Sequence, residues 1–147
     1  MFSFCSVCFD TLEQTEGGSV LNVLVVDDAA FMRTLVRMFL EQMGHTVIGE
    51  AQNGKEAVDL YGRLKPDLVT MDITMPEMDG LEAVKRIKSA NPGAKIIMCS
   101  AMGQQRVVME AIRSGASDFV VKPIQKERLQ EAVEKLFAGQ GTKVGVL

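Results

Sequence analysis

Histidine is almost absent from this chain: His45 is the only one in 147 residues. Cysteine is scarce, with Cys5, Cys8 and Cys99 alone. An odd count without a disulfide-rich pattern fits a reducing compartment. Cys5 and Cys8 have the spacing of half a zinc site, but no second cysteine pair follows and one histidine cannot complete four ligands. Cys99 lies in the apolar run Ile96-Ile97-Met98-Cys99 and reads as a buried thiol acting as a small hydrophobe. No apolar stretch reaches the roughly 18 residues of a membrane span. The segment from Met1 to Phe9 lacks the basic start and long apolar core of a signal peptide, so a cytoplasmic location is expected. Basic excess is missing too. The net charge is −3, and the acidic surplus sits in the first twenty residues, which carry Asp10, Glu13 and Glu16 and no Lys or Arg. The other 16 acids face 16 bases, which gives no compositional support for a nucleic-acid surface.

What is present is an ordinary globular composition, 47% hydrophobic and 24% charged, at the usual length of one domain. Residues 1–19 stand apart as an extension, with Gly17-Gly18-Ser19 as a hinge. From Val20 to about residue 138 short apolar runs alternate with helical patterns. The strands read as Val20–Val26, a weaker one around Val47-Ile48-Gly49, Leu68–Met71, Lys95–Cys99 and Asp118–Val121. Helices follow each, with predicted inner stripes Leu35/Phe39/Met43, Ala57/Tyr61/Leu64, Leu81/Val84/Ile87, Val108/Ile112 and Leu129/Val133/Leu136. The last helix is expected from about 125 to 137, and residues 139–147 carry no clear pattern. Five strand–helix units predict a three-layer α/β domain around a parallel sheet.

Four of the five strands finish in a potentially reactive group: Asp27-Asp28, Asp72, Ser100 and Lys122. Parallel strands point the same way, so these side chains gather at the carboxyl edge, where open α/β folds bind ligands. Each one alone could be a cap or loop residue. Three clustered carboxylates repel one another and call for a hard divalent cation such as Mg²⁺. The Lys122 ammonium can neutralise an anion beside it, and the Ser100 hydroxyl can donate to an anionic oxygen. That set suits phosphoryl transfer. Asp27-Asp28-Ala29-Ala30-Phe31 contains no glycine-rich phosphate cradle, which disfavours nucleotide binding and leaves a carboxylate as the acceptor.

The stretches Leu24–Asp28, Met71–Gly80, Ile97–Ala101 and Asp118–Pro123, in this order and spacing, resemble the response-regulator receiver family over roughly residues 20–137. The resemblance is to its stand-alone chemotaxis members. It implies a flavodoxin-like fold, a doubly wound (βα)5 sheet in the order 2-1-3-4-5. It also implies that Asp72 is the phospho-acceptor, and that Asp27, Asp28, Asp72 and the backbone carbonyl of Thr74 hold Mg²⁺, with Mn²⁺ as a substitute. Ser100 becomes the switch hydroxyl, Lys122 the phosphoryl counter-charge and Phe119 the switch aromatic that moves inward with Ser100. The family often has Tyr there, so Phe119 lacks a hydroxyl. Lys122-Pro123 becomes a candidate cis peptide, and Thr74 and Met102 fall where the family tunes dephosphorylation.

Helix 104–113 is more apolar than one buried face requires, which suggests a partner surface through Val107, Ala111 and Phe119. The resemblance implies a histidine kinase or histidine-phosphotransfer protein as donor and the flagellar motor switch or another protein as target, with no nucleic acid or membrane partner. The nine residues from Gly139 to Leu147 are too few for an output domain, so a stand-alone regulator is expected. A phosphorelay receiver or a piece of a longer regulator is a second reading. An aspartyl-intermediate phosphatase is a third, disfavoured because Thr74 stands where those enzymes need a second carboxylate. On all but that third reading the chain is not a turnover enzyme.

Overall fold

The computed structural model describes residues 20–141. The elements run β1 (Asn22–Val26), α1 (Ala30–Gln42), β2 (Thr46–Ala51), α2 (Gly54–Leu64), β3 (Leu68–Asp72), α3 (Gly80–Ala90), β4 (Ile96–Ser100), α4 (Gln105–Ser114), β5 (Asp118–Val121) and α5 (Lys126–Gly141). The five strands pair in the order β2-β1-β3-β4-β5, all parallel. This is the predicted doubly wound sheet. The expected hinge at Gly17-Gly18-Ser19, Cys5, Cys8 and residues 142–147 lie outside the described residues. The last helix continues to Gly141, beyond the predicted end near 137.

Alternation along the strands divides the core in two. Leu24 and Val26 of β1, Met71 of β3 and Met98 of β4 pack under Ala57, Tyr61, Val84, Ile87 and Ala111. Val23 and Val25, Ile97, Cys99 and Val120 pack under Val36, Leu40, Leu129 and Val133. Successive strand side chains point to opposite faces, so apolar residues at every position are what a sheet covered on both sides requires.

Three helix faces differ from the sequence reading. In α1 the buried positions are Val36 and Leu40, while Phe39 and Met43 only flank the core. In α2 Ala57 and Tyr61 are buried as predicted, but Leu64 is exposed at the helix end. In α4 Ala111 is fully buried and Ile112 is 46% exposed, the reverse of the predicted orientation. The small alanine lets α4 lie close to the sheet, and the branched residue is turned outward.

Two glycines bind the loop after β3 to its neighbours. The Gly80 N–H donates to the Ile73 carbonyl at 2.7 Å, and the Gly54 N–H donates to the Met78 carbonyl at 2.8 Å. A Cβ on Gly80 would stand 2.2 Å from the Asp72 carbonyl oxygen and 2.9 Å from the Ile73 Cα. Both are backbone atoms that cannot swing aside. On the opposite edge the Asn91-Pro92-Gly93 turn is tied by Asn91, which donates to the Tyr61 hydroxyl at 2.9 Å and accepts from the Gly93 N–H at 3.1 Å. His45 occupies the turn between α1 and β2, where its Nδ1 accepts from the Leu21 N–H at 3.2 Å. Burial lowers its pKa, which keeps the ring neutral and able to accept.

Two outcomes are expected. Gly80→Ala costs about 3 kcal/mol, the upper range for a forced clash, read as a lower urea midpoint by circular dichroism. The His45 contribution is full above the unfolded histidine pKa of roughly 6.5 and is lost as pH falls below it. His45→Ala therefore loses about 1 kcal/mol at pH 7 and shows a shallower decline in midpoint than the parent down to about pH 5.5.

Candidate functional site

The register brings the reactive residues together. Val26 pairs with Met71, Asp72 with Cys99, and Ser100 with Val121. Each strand therefore ends at a common level, and Asp27, Asp72, Ser100 and Lys122 emerge side by side. Oxygens of Asp27, Asp28 and Asp72 lie within 4.8 Å of one another. Asp27, Asp72 and Ser100 are buried, while Asp28 is exposed and has no hydrogen-bonded or ion-paired partner among the described residues.

Lys122 holds the cluster together. Its Nζ donates to Asp27 Oδ2 at 2.9 Å and stands 3.2 Å from Asp72 Oδ1. The Asp27 Oδ1 accepts from the Ala29 N–H at 2.9 Å. Lys122 is fixed in turn by its own N–H, which donates to the Ser100 carbonyl at 2.8 Å, and the following Lys122-Pro123 peptide is cis. The Ser100 hydroxyl accepts from the Met102 N–H at 3.0 Å. Thr74 is exposed in the loop that follows Asp72, and Met102 is exposed beside Ser100.

One ammonium pairs with two of the three carboxylates, and burial acts on top of that shortage. Burial raises the Asp72 pKa; Lys122 opposes this, and the negative charges of Asp27 and Asp28 add to it. Burial by itself pulls Lys122 down, but its hydrogen bonds and attraction to Asp27 and Asp72 outweigh that and raise its pKa. Lys122 is thus held charged while Asp72 remains under-compensated. An all-oxygen donor set with surplus negative charge and one open carboxylate fits a hard divalent cation.

Cys99, beside Asp72 in the ladder, is fully buried, and that burial pushes its thiol up to about 12. It is inert, as the sequence suggested.

The expected partner surface needs correction. Ala111 and Phe119 are buried, and Val107 packs against the core. Phe119, the expected switch aromatic, is buried here beneath this surface. The exposed apolar residues nearby are Met109, Ile112 and Val121, and an open groove lies between Val108, Ile112, Val121, Lys122 and Arg128. Arg33 and Glu50 carry no signal in the sequence, because no periodic pattern marks a side-chain pair seventeen residues apart.

Without a cation, Asp72→Asn is expected to stabilise the protein by on the order of 1 kcal/mol at neutral pH. The sign follows from the raised Asp72 pKa: protonation favours the folded state. The benefit is complete below the unfolded carboxylate value of about 3.9 and disappears as pH rises through the folded pKa. Urea unfolding in EDTA across pH checks this. The variant's advantage should be absent near pH 4 and grow to a plateau as pH rises.

A profile of the response regulator receiver domain matches residues 23–134. The chain is 59% identical over 114 residues to a chemotaxis protein CheY of Thermotoga maritima, covering 78% of this chain and 95% of the relative. It is 57% identical over 113 residues to a chemotaxis protein CheY of Bacillus subtilis, covering 77% and 94%. Among solved structures, the CheX-CheY-BeF3-Mg²⁺ complex from Borrelia burgdorferi superposes with a TM-score of 0.77 at 36% identity, covering 79% of this chain and 88% of that one. With this fold, this acidic cluster and these relatives, the chain belongs to the response regulator receiver domain family, whose members take up and lose a phosphoryl group on themselves as regulators rather than turning over substrates.

Proposed function

We propose that this chain is a Mg²⁺-dependent phospho-accepting regulator of chemotaxis, switched by a phosphoryl group on Asp72. The observation that carries this is Lys122 Nζ, shared between Asp27 and Asp72 at 2.9 and 3.2 Å beside an unpartnered Asp28. Asp27, Asp28 and Asp72, with the Thr74 backbone carbonyl, would hold the cation. When bound, the cation supplies the positive charge that keeps Asp72 ionised and offsets the charge of the phosphoryl oxygens.

An oxygen of Asp72 attacks the phosphorus of a phosphohistidine on a kinase or phosphotransfer protein. The new O–P bond replaces the N–P bond, whose electron pair stays on the imidazole nitrogen. Lys122 neutralises the transferred group. The Ser100 hydroxyl exchanges its contact with the Met102 N–H for a phosphoryl oxygen, which remodels the Ala101-Met102-Gly103 link and the start of α4. The charged group favours one of two pre-existing arrangements of Ser100 and Phe119.

The readout is the surface of α4, β5 and α5, where Ile112 and Val121 are exposed over buried Phe119. A flagellar motor-switch protein is the proposed target, supported by the high identity to CheY proteins along almost their full length. No described helix is long and apolar enough to cross a membrane, and we place the regulator in the cytoplasm, with residues 20–138 as the working unit.

Acetyl phosphate with Mg²⁺ is expected to add one phosphoryl group to the intact protein by mass spectrometry. EDTA or Asp72→Asn abolishes it, and Lys122→Ala slows it about 100-fold, the effect of losing one charge-stabilising donor. Phosphorylation of Asp72→Asn at the parent's rate would refute the assignment. Ser100→Ala should accept the phosphoryl group yet lose phosphorylation-dependent target capture. Capture of a histidine-phosphotransfer protein in place of a motor component would move the function to a phosphorelay.

A further inference from the structure

We propose that Arg33 is a positioning residue for the cation site, orienting the Asp27–Asp28 peptide and through it the Asp28 carboxylate. This rests on the reading of Asp27, Asp28 and Asp72 as cation ligands. Arg33 lies in the first turn of α1, and its side chain is only 14% exposed. Its Nη1 donates to the Asp27 carbonyl at 2.7 Å, and its Nε donates to Glu50 Oε1 on β2 at 3.0 Å. A planar guanidinium with two fixed acceptors has little freedom to turn. The Asp27 N–H donates to the Ala51 carbonyl at 3.1 Å. The backbone of Asp27 is therefore tied on both sides.

Asp28 needs that restraint more than the other ligands do. The carboxylates of Asp27 and Asp72 are held by Lys122, whereas Asp28 has no side-chain partner among the described residues. Its aim depends on the peptide plane that precedes it, and fixing the Asp27 carbonyl direction fixes that plane. A ligand held in place before the cation arrives binds with less ordering cost.

A positive charge so near a cation site would ordinarily weaken binding. Here it is balanced. Glu50 Oε2 accepts from Arg37 Nε at 2.9 Å, and Arg37 also stands 3.5 Å from Glu41. Two guanidinium groups and two carboxylates form a neutral cluster. The hydrogen bond from Arg37, together with Arg33, lowers the Glu50 pKa and keeps it charged. The cluster grips the Asp27 carbonyl while adding no net repulsion.

The test is calorimetric titration of the full chain with MgCl2, alongside urea unfolding in EDTA. Arg33→Lys and Arg33→Gln should each bind Mg²⁺ about tenfold more weakly, as expected for a group supporting a metal ligand. Arg33→Gln separates the two physical effects, since removal of charge alone would tighten binding. The double variant Arg33→Gln with Glu50→Gln, which leaves the net charge of the cluster unchanged, should also weaken binding and serves if the single Arg33 variants do not fold. Unchanged or tighter Mg²⁺ affinity in the folded variants, with only the urea midpoint moved, overturns the proposal and leaves a structural role. A parent chain that fails to bind Mg²⁺ overturns the cation site itself, and this inference with it.

Discussion

The Lys122 ammonium, one positive charge set among three carboxylates, is the interaction on which the site depends. Removing charge from water is costly, and one cation does not repay it for the buried Asp27 and Asp72 with the exposed Asp28 beside them. Burial first, and the neighbouring negative charges after it, push Asp72 up against the pull of Lys122, while Asp27 and Asp72 hold Lys122 charged. The shortage of cations explains why the site is suited to taking up positive charge from outside. The parallel sheet creates this tension, because only strands ending in register could bring Asp27, Asp72, Ser100 and Lys122 to one level.

The surrounding structure resists relaxation of that arrangement. Lys122 is anchored through its backbone to Ser100, Asp27 through its backbone to Ala51, and the loop after Asp72 through Gly80 and Gly54. Such anchors keep like charges at close quarters when repulsion would spread them. Beside them the Ser100 hydroxyl accepts from the Met102 N–H, its one hydrogen bond among the described residues. Of the elements that follow these strand ends, α4 is the most thinly packed. That helix starts without a side-chain cap and buries little more than Ala111 and its half-covered valines.

The strands and the reactive edge were legible because their signals are local. Short apolar runs ending in Asp, Ser or Lys fix both the element and its polarity, while the sheet order, which the observed strand pairing bears out, came from the family resemblance and not from those runs. Helix faces were harder. In α1, Leu35, Phe39 and Met43 form as good a stripe as Val36 and Leu40, since large side chains occupy both rows and the sheet decides between them. In α4 side-chain size misled: Ala111 was the contact residue and Ile112 the exposed one. The Arg33–Glu50 pair and the His45 contact were invisible, because each joins segments that meet only once the sheet has formed.

The turn at Asn91-Pro92-Gly93 closes the sheet edge opposite the acidic cluster. Strands of five residues separate the two edges, a span of about 17 Å. That distance leaves the turn as a natural point of attachment. A fluorophore or tether placed at Gly93 would sit beyond the reach of the charges around Lys122. The domain could then be immobilised or labelled there with its reactive edge free to meet a donor in solution.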